Sequence, residues 1–295
     1  MLLPIFYTPK MNADISSFSP SAGKPARVVA AWQRLNLPIN IVEPDPVSAD
    51  ELKRAHDSSY VDKILACEIN NGFRNTLPEV ADTLLYTNGS MLSAAREAIR
   101  NRKVAIAPCS GFHHAKYASA AGFCTFNGLM VTALALKAEG LVTRVGILDF
   151  DMHYGDGTVE LIERHHAESW IEHFTAGREY LSSYQAGEFL EYIPEWVSDM
   201  RDCDVILYQA GADPHINDPL GGFLTTVQLR ERDRLVFEKA HALGVPIAWN
   251  LAGGYQVDKS GNIQAILDIH NNTILECAKV YCDSLTNSIT LSVNE

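Results

Sequence analysis

Residues 147–157 read Ile-Leu-Asp-Phe-Asp-Met-His-Tyr-Gly-Asp-Gly and continue an apolar run that begins near Arg144. A continuous apolar run of this length is typical of a strand buried on both faces, as in a parallel sheet covered by helices. The run ends in acidic residues and a histidine. Open parallel sheets bind their ligands at the carboxyl ends of strands. This stretch therefore predicts a parallel sheet with a polar site at one edge.

The same alternation of strand and helix patterns extends through most of the chain. Apolar runs predict strands at Leu2–Tyr7, Ile39–Val42, Val104–Ala107, Arg144–Phe150, Asp204–Gln209 and Pro246–Leu251. Helical periodicity predicts helices at Lys24–Asn36, Ala49–His56, Tyr60–Asn70, Gly89–Asn101, Asn127–Glu139, Thr158–His166, Thr226–Leu243 and Asn262–Cys282. Strands that alternate with helices predict an α/β fold with right-handed crossovers. Because no repeat or linker divides the sequence, we predict one three-layer α/β/α domain over residues 1–295, with a mostly parallel central sheet.

The composition is that of an ordinary globular protein. Hydrophobic residues make up 47% of the chain and charged residues 20%, which is enough apolar material for a full core. The formal net charge of −12 argues against a nucleic-acid partner and suits a cationic substrate. The six cysteines form no CxxC pair. Neither a signal peptide nor a membrane span is indicated, so we expect a cytoplasmic protein without a membrane partner.

The polar residues after this strand have the spacing of metal ligands. Asp149, Asp151 and His153 follow one another at intervals of two, and residues two apart in a strand share a face. Asp151 and His153 can therefore point at one cation, and a carboxylate with an imidazole suits zinc or a similar divalent ion. Asp213, which follows another apolar run, is the predicted third ligand. The alternative is a strand end capped by solvated acids, but such groups are costly if they are buried without partners.

Two adjacent histidines, His113 and His114, follow the predicted strand Val104–Ala107. They could hold a water between them and a reacting carbonyl group. Adjacent side chains diverge in an extended loop, so each imidazole needs its own orienting acid. Asp149 and Asp156 are available for these two places.

Residues 250–256 read Asn-Leu-Ala-Gly-Gly-Tyr-Gln. A strand that ends in two glycines can bring the phenol of Tyr255 to a developing oxyanion, although a packed loop tyrosine fits the same pattern. His215 is interpreted either as a group that supports the metal ligands or as an ordinary loop histidine. The pair His165 and His166 is expected on a solvated helix face.

Five segments, in this order, resemble the histone deacetylase and acetylpolyamine amidohydrolase family, which has an arginase-like α/β fold. They are Gly111-Phe-His-His-Ala115, Ala121-Gly-Phe-Cys-Thr-Phe-Asn127, Asp149-Phe-Asp-Met-His-Tyr-Gly-Asp-Gly157, Gly211-Ala-Asp-Pro-His215 with Asp218-Pro-Leu-Gly221, and Gly253-Gly-Tyr255. Weaker similarity at residues 56–61 and 89–95 extends the resemblance over nearly the whole chain.

The resemblance implies a zinc-dependent deacetylase that acts on linear amides. It implies that Asp151, His153 and Asp213 bind the catalytic Zn²⁺, with Fe²⁺ as the alternative ion. Backbone oxygens around Asp149, Asp151 and His153 hold a structural K⁺ in many relatives. The implied substrate is an acetylated amine: a protein lysine, a polyamine or a small metabolite.

The same resemblance assigns roles to the other polar groups. His113 and His114 are implied to activate the water, with Asp149 and Asp156 as their hydrogen-bond partners. Tyr255 is implied to donate to the carbonyl oxygen of the substrate. One wall of the tunnel that binds the acylated amine is implied to be formed by Phe123, with Gly122 beside it.

The sequence departs from the family pattern in two places. Tyr154 stands where many relatives have a second histidine after the metal-binding one. The interval between Gly157 and Ala212 contains residues 178–184, Arg-Glu-Tyr-Leu-Ser-Ser-Tyr, where relatives have a loop rich in Gly and Phe. The residue that faces Phe123 across the tunnel is therefore left open. The sequence also leaves the oligomeric state open.

Two other functions fit the sequence less well than deacetylation. An arginase-like ureohydrolase needs additional bridging acids, but Gly155, Gly211 and His215 occupy the corresponding places. A catalytically silent protein that binds acetylated amines would be expected to lack a metal ligand, a tandem histidine or Tyr255. The sequence retains all of them, and a single metal ion is therefore predicted.

Overall fold

A computed structural model describes residues 1–282. Its central sheet is entirely parallel, with the strand order β2-β1-β3-β7-β6-β4-β5. The strands are β1 Leu3–Phe6, β2 Ile39–Val42, β3 Val104–Ala107, β4 Val145–Asp149, β5 Ile171–Thr175, β6 Val205–Gly211 and β7 Ile247–Ala252. The predicted parallel α/β sheet is confirmed.

Helices cover both faces of this sheet. They are α1 Lys24–Gln33, α2 Ala49–Ala55, α3 Ser58–Leu65, α4 Pro78–Asn101, α5 Gly128–Ala138, α6 Asp156–Arg164, α7 Ala186–Asp199, α8 Thr226–Leu243 and α9 Gln264–Tyr281. Helices α1, α7, α8 and α9 contribute to one apolar cluster, whereas α2 to α6 contribute to the other. Alternate residues of β6 enter the two clusters: Ile206 and Tyr208 on one face, Val205 and Leu207 on the other. No helix within residues 1–282 is long and apolar enough to cross a membrane.

All the predicted strands are present, but the sequence pattern did not predict β5. This strand reads Ile-Glu-His-Phe-Thr and lies at the edge of the sheet, with most of its residues only partly buried. Polar residues interrupt its apolar pattern because an edge strand does not need two buried faces. Helix α7 was also missed, and it contains Pro194 in its interior.

Two predicted helix boundaries differ from the structure by five residues or more. Helix α4 begins at Pro78 instead of at Gly89, which lies inside the helix where a Cβ atom would be 2.1 Å from the carbonyl oxygen of Asp45. This glycine allows a close helix contact instead of marking a helix start. Helix α3 ends at Leu65 instead of continuing to residue 70, since Cys67 has a φ of 58° and cannot continue a right-handed helix.

The sheet order brings the distant polar segments together. Strands β3, β7, β6 and β4 are consecutive neighbours in the middle of the sheet, and each is followed by one of the segments singled out in the sequence. Because all four strands run in the same direction, their carboxyl ends lie at one edge. The side chain of Gln209 on β6 links two of these segments. It accepts a hydrogen bond from the Phe112 amide at 3.0 Å and donates one to Asp149 at 2.8 Å.

Candidate active site

Three predicted metal ligands form a compact cluster at this edge. Ligand atoms of Asp151, His153 and Asp213 all lie within 4.8 Å of one another. Nδ1 of His153 is 3.1 Å from Oδ1 of Asp151 and 3.0 Å from Oδ2 of Asp213. Both carboxylates are buried, whereas His153 is partly exposed. Within the part of the chain that the structure describes, this is the one group of three such residues with metal-binding geometry.

The glycine turn after β7 allows the cluster to form. Gly253 has a φ of +22°, and a Cβ atom there would be 2.1 Å from Cγ of Asp213. A residue with a side chain at position 253 would therefore displace the carboxylate from the cluster. Gly253 forms the turn and is also needed for the close approach of two site loops.

The electrostatics of the cluster favour a bound cation. Burial raises the pKa of Asp213 to about 7, and the nearby Asp151 carboxylate contributes to this increase. Hydrogen bonds to Asp151 and Asp213 raise the pKa of His153 to about 10. Oxygen atoms of the two buried carboxylates, Asp151 and Asp213, lie within 4.8 Å of each other. Their mutual repulsion is relieved when a positive charge lies between them. The set of two carboxylates and one imidazole fits a divalent ion such as Zn²⁺.

His113 lies beside the cluster and is paired with Asp149. Its Nδ1 is 2.7 Å from Oδ2 of Asp149, and its Nε2 is 3.6 Å from Oδ1 of Asp151. Both His113 and Asp149 are buried. Burial opposes the charge on His113, but Asp149 and Asp151 outweigh it and raise the pKa of the imidazole to about 9.

His114 is paired with the second predicted acid and is more exposed. Its Nδ1 is 2.8 Å from Oδ1 of Asp156, whose other oxygen accepts from the Lys116 ammonium at 3.0 Å. Burial and the adjacent His113 lower the pKa of His114. The centroids of the two imidazole rings are 4.1 Å apart. The tandem histidines thus face one site, but each has its own carboxylate.

Tyr255 and Phe123 border the same site. The Tyr255 ring is 6.4 Å from the His153 ring and 5.8 Å from the Phe123 ring, measured between centroids. On its other side it stacks with Phe18 at 6.0 Å. Gly122, which precedes Phe123, lies against the imidazole of His114. The structure therefore brings every residue predicted for the site into one constellation.

Much of the chain also matches a known protein family. A family model for the histone deacetylase domain matches residues 21–181, which is more than half of the chain. The chain belongs to the histone deacetylase family.

The chain is also similar to individual proteins. An uncharacterized protein from Picosynechococcus is 29% identical over 195 residues, which cover 60% of this chain and 63% of that protein. A probable deacetylase from Methanothermobacter thermautotrophicus is 24% identical over 274 residues, which cover 82% of each chain. The crystal structure of an acetylpolyamine aminohydrolase from Burkholderia pseudomallei superposes with a TM-score of 0.74 at 18% identity. The superposition covers 94% of this chain and 99% of that chain, so the two share the arginase-deacetylase fold.

An open cleft lies beside the cluster of Asp151, His153 and Asp213. The cleft, of about 480 Å³, is lined by His114 and His153 together with Leu181 and Leu220. Both leucines are considerably exposed, at 59% and 41%. Leu181 comes from the segment that departs from the family pattern. The structure therefore places apolar side chains from two different loops next to the cluster.

Two histidines have simpler surroundings than the site histidines. His215 contacts Thr226 Oγ1 through Nε2 at 3.0 Å and accepts a hydrogen bond from the Asn217 amide at Nδ1. It links its own loop to the start of α8, and its Nδ1 also lies 3.3 Å from Nε2 of Gln256. The expected solvated helix face is wrong for His165, which ends helix α6 and whose Nε2 is 2.9 Å from the Ala55 carbonyl oxygen. His166 is exposed.

Several buried residues support the site without having been predicted from the sequence. In the sequence pattern, Gln209 is only the end of a strand and Asp218 is only part of a matching segment. Asp218 accepts a hydrogen bond from the Tyr255 amide at 2.7 Å. Lys24 is only the first residue of a predicted helix, yet its side chain is fully buried. A signal for Lys24 exists, since Val28 and Trp32 follow it at intervals of four on the apolar face of α1.

Proposed function

We propose that this protein is a metal-dependent amidohydrolase that removes an acetyl group from an amine on a linear substrate. One observation carries the proposal. Two histidines, each with its own carboxylate, lie beside an Asp-His-Asp cluster, and a buried tyrosine borders the same cluster. This combination can support amide hydrolysis, since it offers a cation site, proton-transfer groups and a donor for the carbonyl oxygen.

Asp151, His153 and Asp213 would hold a single divalent ion, with zinc the ion proposed and ferrous iron the alternative. When bound, such an ion polarises the amide carbonyl and lowers the pKa of water. Two ions would need further acidic ligands. His215 occupies one of the places where such an acid would be needed, and its imidazole contacts Thr226. Backbone oxygens around Asp149, Asp151 and His153 are proposed to bind a structural K⁺, as the family resemblance implies.

The proton-transfer role follows from the imidazole contacts. Since Nδ1 of His114 is held by the Asp156 carboxylate, its N–H points there and its Nε2 keeps a lone pair. With its pKa lowered, the ring is neutral at neutral pH and can take a proton from the attacking water. The same nitrogen can then protonate the leaving amine. His113, charged and held by Asp149, would stabilise the negative charge that develops beside it.

Tyr255 is proposed to donate its phenol proton to the substrate carbonyl oxygen. Burial and the nearby Asp151 raise the pKa of this phenol, so it keeps its proton at neutral pH. A protonated donor placed where oxyanion charge develops stabilises the transition state more than the ground state.

The substrate is proposed to be an acetylated amine with an apolar stem. Phe123, Leu181 and Leu220 offer apolar surface beside the cluster, and the net charge of −12 suits a cationic amine. A protein lysine, a polyamine and a small metabolite all meet this description. We further propose a cytoplasmic location, since the free thiols of Cys109 and Cys277 suit a reducing compartment.

The test is acetate release from a panel of acetyl-lysine peptides and acetylpolyamines, with metal analysis of the same sample. We expect hydrolysis of at least one member and its loss in Asp151→Ala, because that variant lacks a charged ligand. Hydrolysis that survives in Asp151→Ala, or none on any acetylated amine in metal-loaded protein, would contradict the proposal.

A further inference from the structure

The side chain of Lys24 is fully buried at the start of helix α1 and has no role in the chemistry proposed above. Its ammonium donates to the carbonyl oxygen of Ala252 at 2.8 Å and also to that of Gly253. Burial of an ammonium is costly, and a cation at a helix N-terminus opposes the helix dipole. Burial and the helix dipole therefore both disfavour this ammonium, and its two hydrogen bonds offset part of that cost.

The contacts fall on the turn that carries Tyr255. Gly253 and Gly254 both have positive φ values, +22° and +97°, so this turn has more conformational freedom than other residues would give it. Lys24 holds the two carbonyl groups that precede Gly254. On the other side, Asp218 accepts from the Tyr255 amide at 2.7 Å. The turn is thus held from both sides, immediately before its functional side chain.

The charges around Lys24 explain why it can remain buried. Burial lowers the pKa of its ammonium to about 8, and the acids Asp213, Asp151 and Asp218 counteract that decrease. Lys24 therefore adds a positive charge behind the acidic cluster without ligating it.

We propose that Lys24 is a positioning residue: it fixes the Gly253-Gly254 turn so that the Tyr255 phenol faces the reacting carbonyl group. The proposal rests on the donor role of Tyr255 in the proposed function. The hydrogen bonds of Lys24 go to the backbone of the turn, whereas its charge also acts on Asp213 and Asp151. Only the effect that passes through the turn depends on Tyr255.

A double-mutant cycle tests this coupling. Lys24→Met removes the donors but keeps an apolar stem, and we expect it to lower kcat roughly tenfold or more, as small misplacements of a reacting group do. KM and metal content should change little. In a Tyr255→Phe background the same change should cost less than about twofold in kcat, because the group that Lys24 positions is already gone. Lys63→Met, whose exposed side chain lies on helix α3, is the matched control and should leave kcat unchanged.

Hydrogen exchange gives a second readout that does not depend on activity. In Lys24→Met, a peptide covering residues 250–257 should exchange faster than in the wild-type protein, whereas peptides from β4 and β6 should not. Lys24→Gln retains one donor and should show an intermediate rate. It serves as the test variant if Lys24→Met does not fold.

The outcomes separate the two proposals. Unchanged exchange at residues 250–257, or a loss of kcat that multiplies fully with that of Tyr255→Phe, would overturn the role of Lys24. If the wild-type protein hydrolyses no acetylated amine, the proposed function fails, while the exchange experiment still decides whether Lys24 holds the turn.

Discussion

His113 and His114 are neighbours in the chain, yet their surroundings move their pKa values in opposite directions. Asp149 and Asp151 outweigh burial at His113 and raise its pKa to about 9, whereas burial lowers the pKa of the more exposed His114. Titratable groups whose pKa values are pushed apart divide acid and base work between them. The surroundings thus push the two imidazoles towards opposite protonation states, and His114 lines the cleft.

We expect His114→Ala to lose roughly a hundredfold or more in kcat, because the group that moves the proton is removed. His166→Ala is the matched control, since His166 is exposed and lies two residues after the last residue of α6. His165 is unsuitable as a control because its ring contacts the Ala55 carbonyl oxygen. Steady-state kinetics on an acetylated amine decide the matter, and equal losses in the two variants would refute the role of His114.

Tyr255→Phe should keep the fold and the metal but lose roughly a hundred- to a thousandfold in turnover. Phenylalanine preserves the ring contacts with Phe18 and Phe123, and the backbone bond to Asp218 does not involve the ring. Binding of the amide should weaken less than turnover, since the ground-state oxygen carries less charge. A variant with wild-type kcat would show that Tyr255 is only a packed loop residue.

Strands that are buried on both faces are the elements that the sequence predicts most directly. Strands β4 and β6 are continuous apolar runs, and their polar extensions led directly to Asp151 and Asp213. Sequence reasoning failed for β5, which lies at the sheet edge, and for α7, whose pattern contains a proline. An edge strand and a helix with an internal proline both lack the regular apolar pattern on which such predictions depend.

The side chains to which the sequence assigned chemistry lie together in the structure, whereas the residues that bind the backbone of the site were not predicted. Ligand spacing and motif order are local properties of the sequence, and they were sufficient to point to His153 and the tandem histidines. Lys24 and Asp218 bind main-chain groups of a distant turn, and no local pattern announces such a contact. Only the three-dimensional arrangement shows which carbonyl and amide groups need a partner.

A neutral histidine links the end of helix α2 to the start of helix α5. Nε2 of His56, at the end of α2, accepts a hydrogen bond from the backbone N–H of Asn127. Its Nδ1 lies 2.9 Å from the Lys116 carbonyl oxygen. Asn127 in turn caps helix α5 through its side chain, which accepts from the Met130 amide. Protonation of Nε2 would remove its acceptor and break the link between these helices.

The stability of the protein should therefore decrease at acidic pH. Burial lowers the pKa of His56 from an ordinary value of 6.5 to about 4, so the unfolded chain binds a proton that the folded protein excludes. The stabilisation is present above about pH 6.5 and is lost as the pH falls towards 4. Between about pH 7 and pH 5 the expected loss in the free energy of unfolding is about 2 kcal/mol.

Urea unfolding of wild type and His56→Gln at these two pH values isolates this contribution. The variant should be less stable at about pH 7, but its stability should depend less on pH, by about the same 2 kcal/mol. Parallel pH dependences in the two proteins would show that His56 does not titrate in this range.

Over residues 1–282 one continuous sheet lies between two apolar clusters, and several strands contribute to both clusters. We predict that residues 1–295 form a single domain, although residues 283–295 lie outside the described part of the chain. Unfolding monitored by tryptophan fluorescence and by circular dichroism should then give one coincident transition. Two separated transitions would indicate that the chain is divided into independent units.

The dependence of amide hydrolysis on one ion held by Asp151, His153 and Asp213 is tested most directly by metal titration. Protein stripped of metal is titrated with Zn²⁺, and in parallel with Fe²⁺ under anaerobic conditions, while acetate release from an acetylated amine is recorded. We predict no hydrolysis in the metal-free protein, a linear rise as metal is added, and an end point at one ion per chain. Full activity in the metal-free protein, or an end point at two ions per chain, would contradict this account.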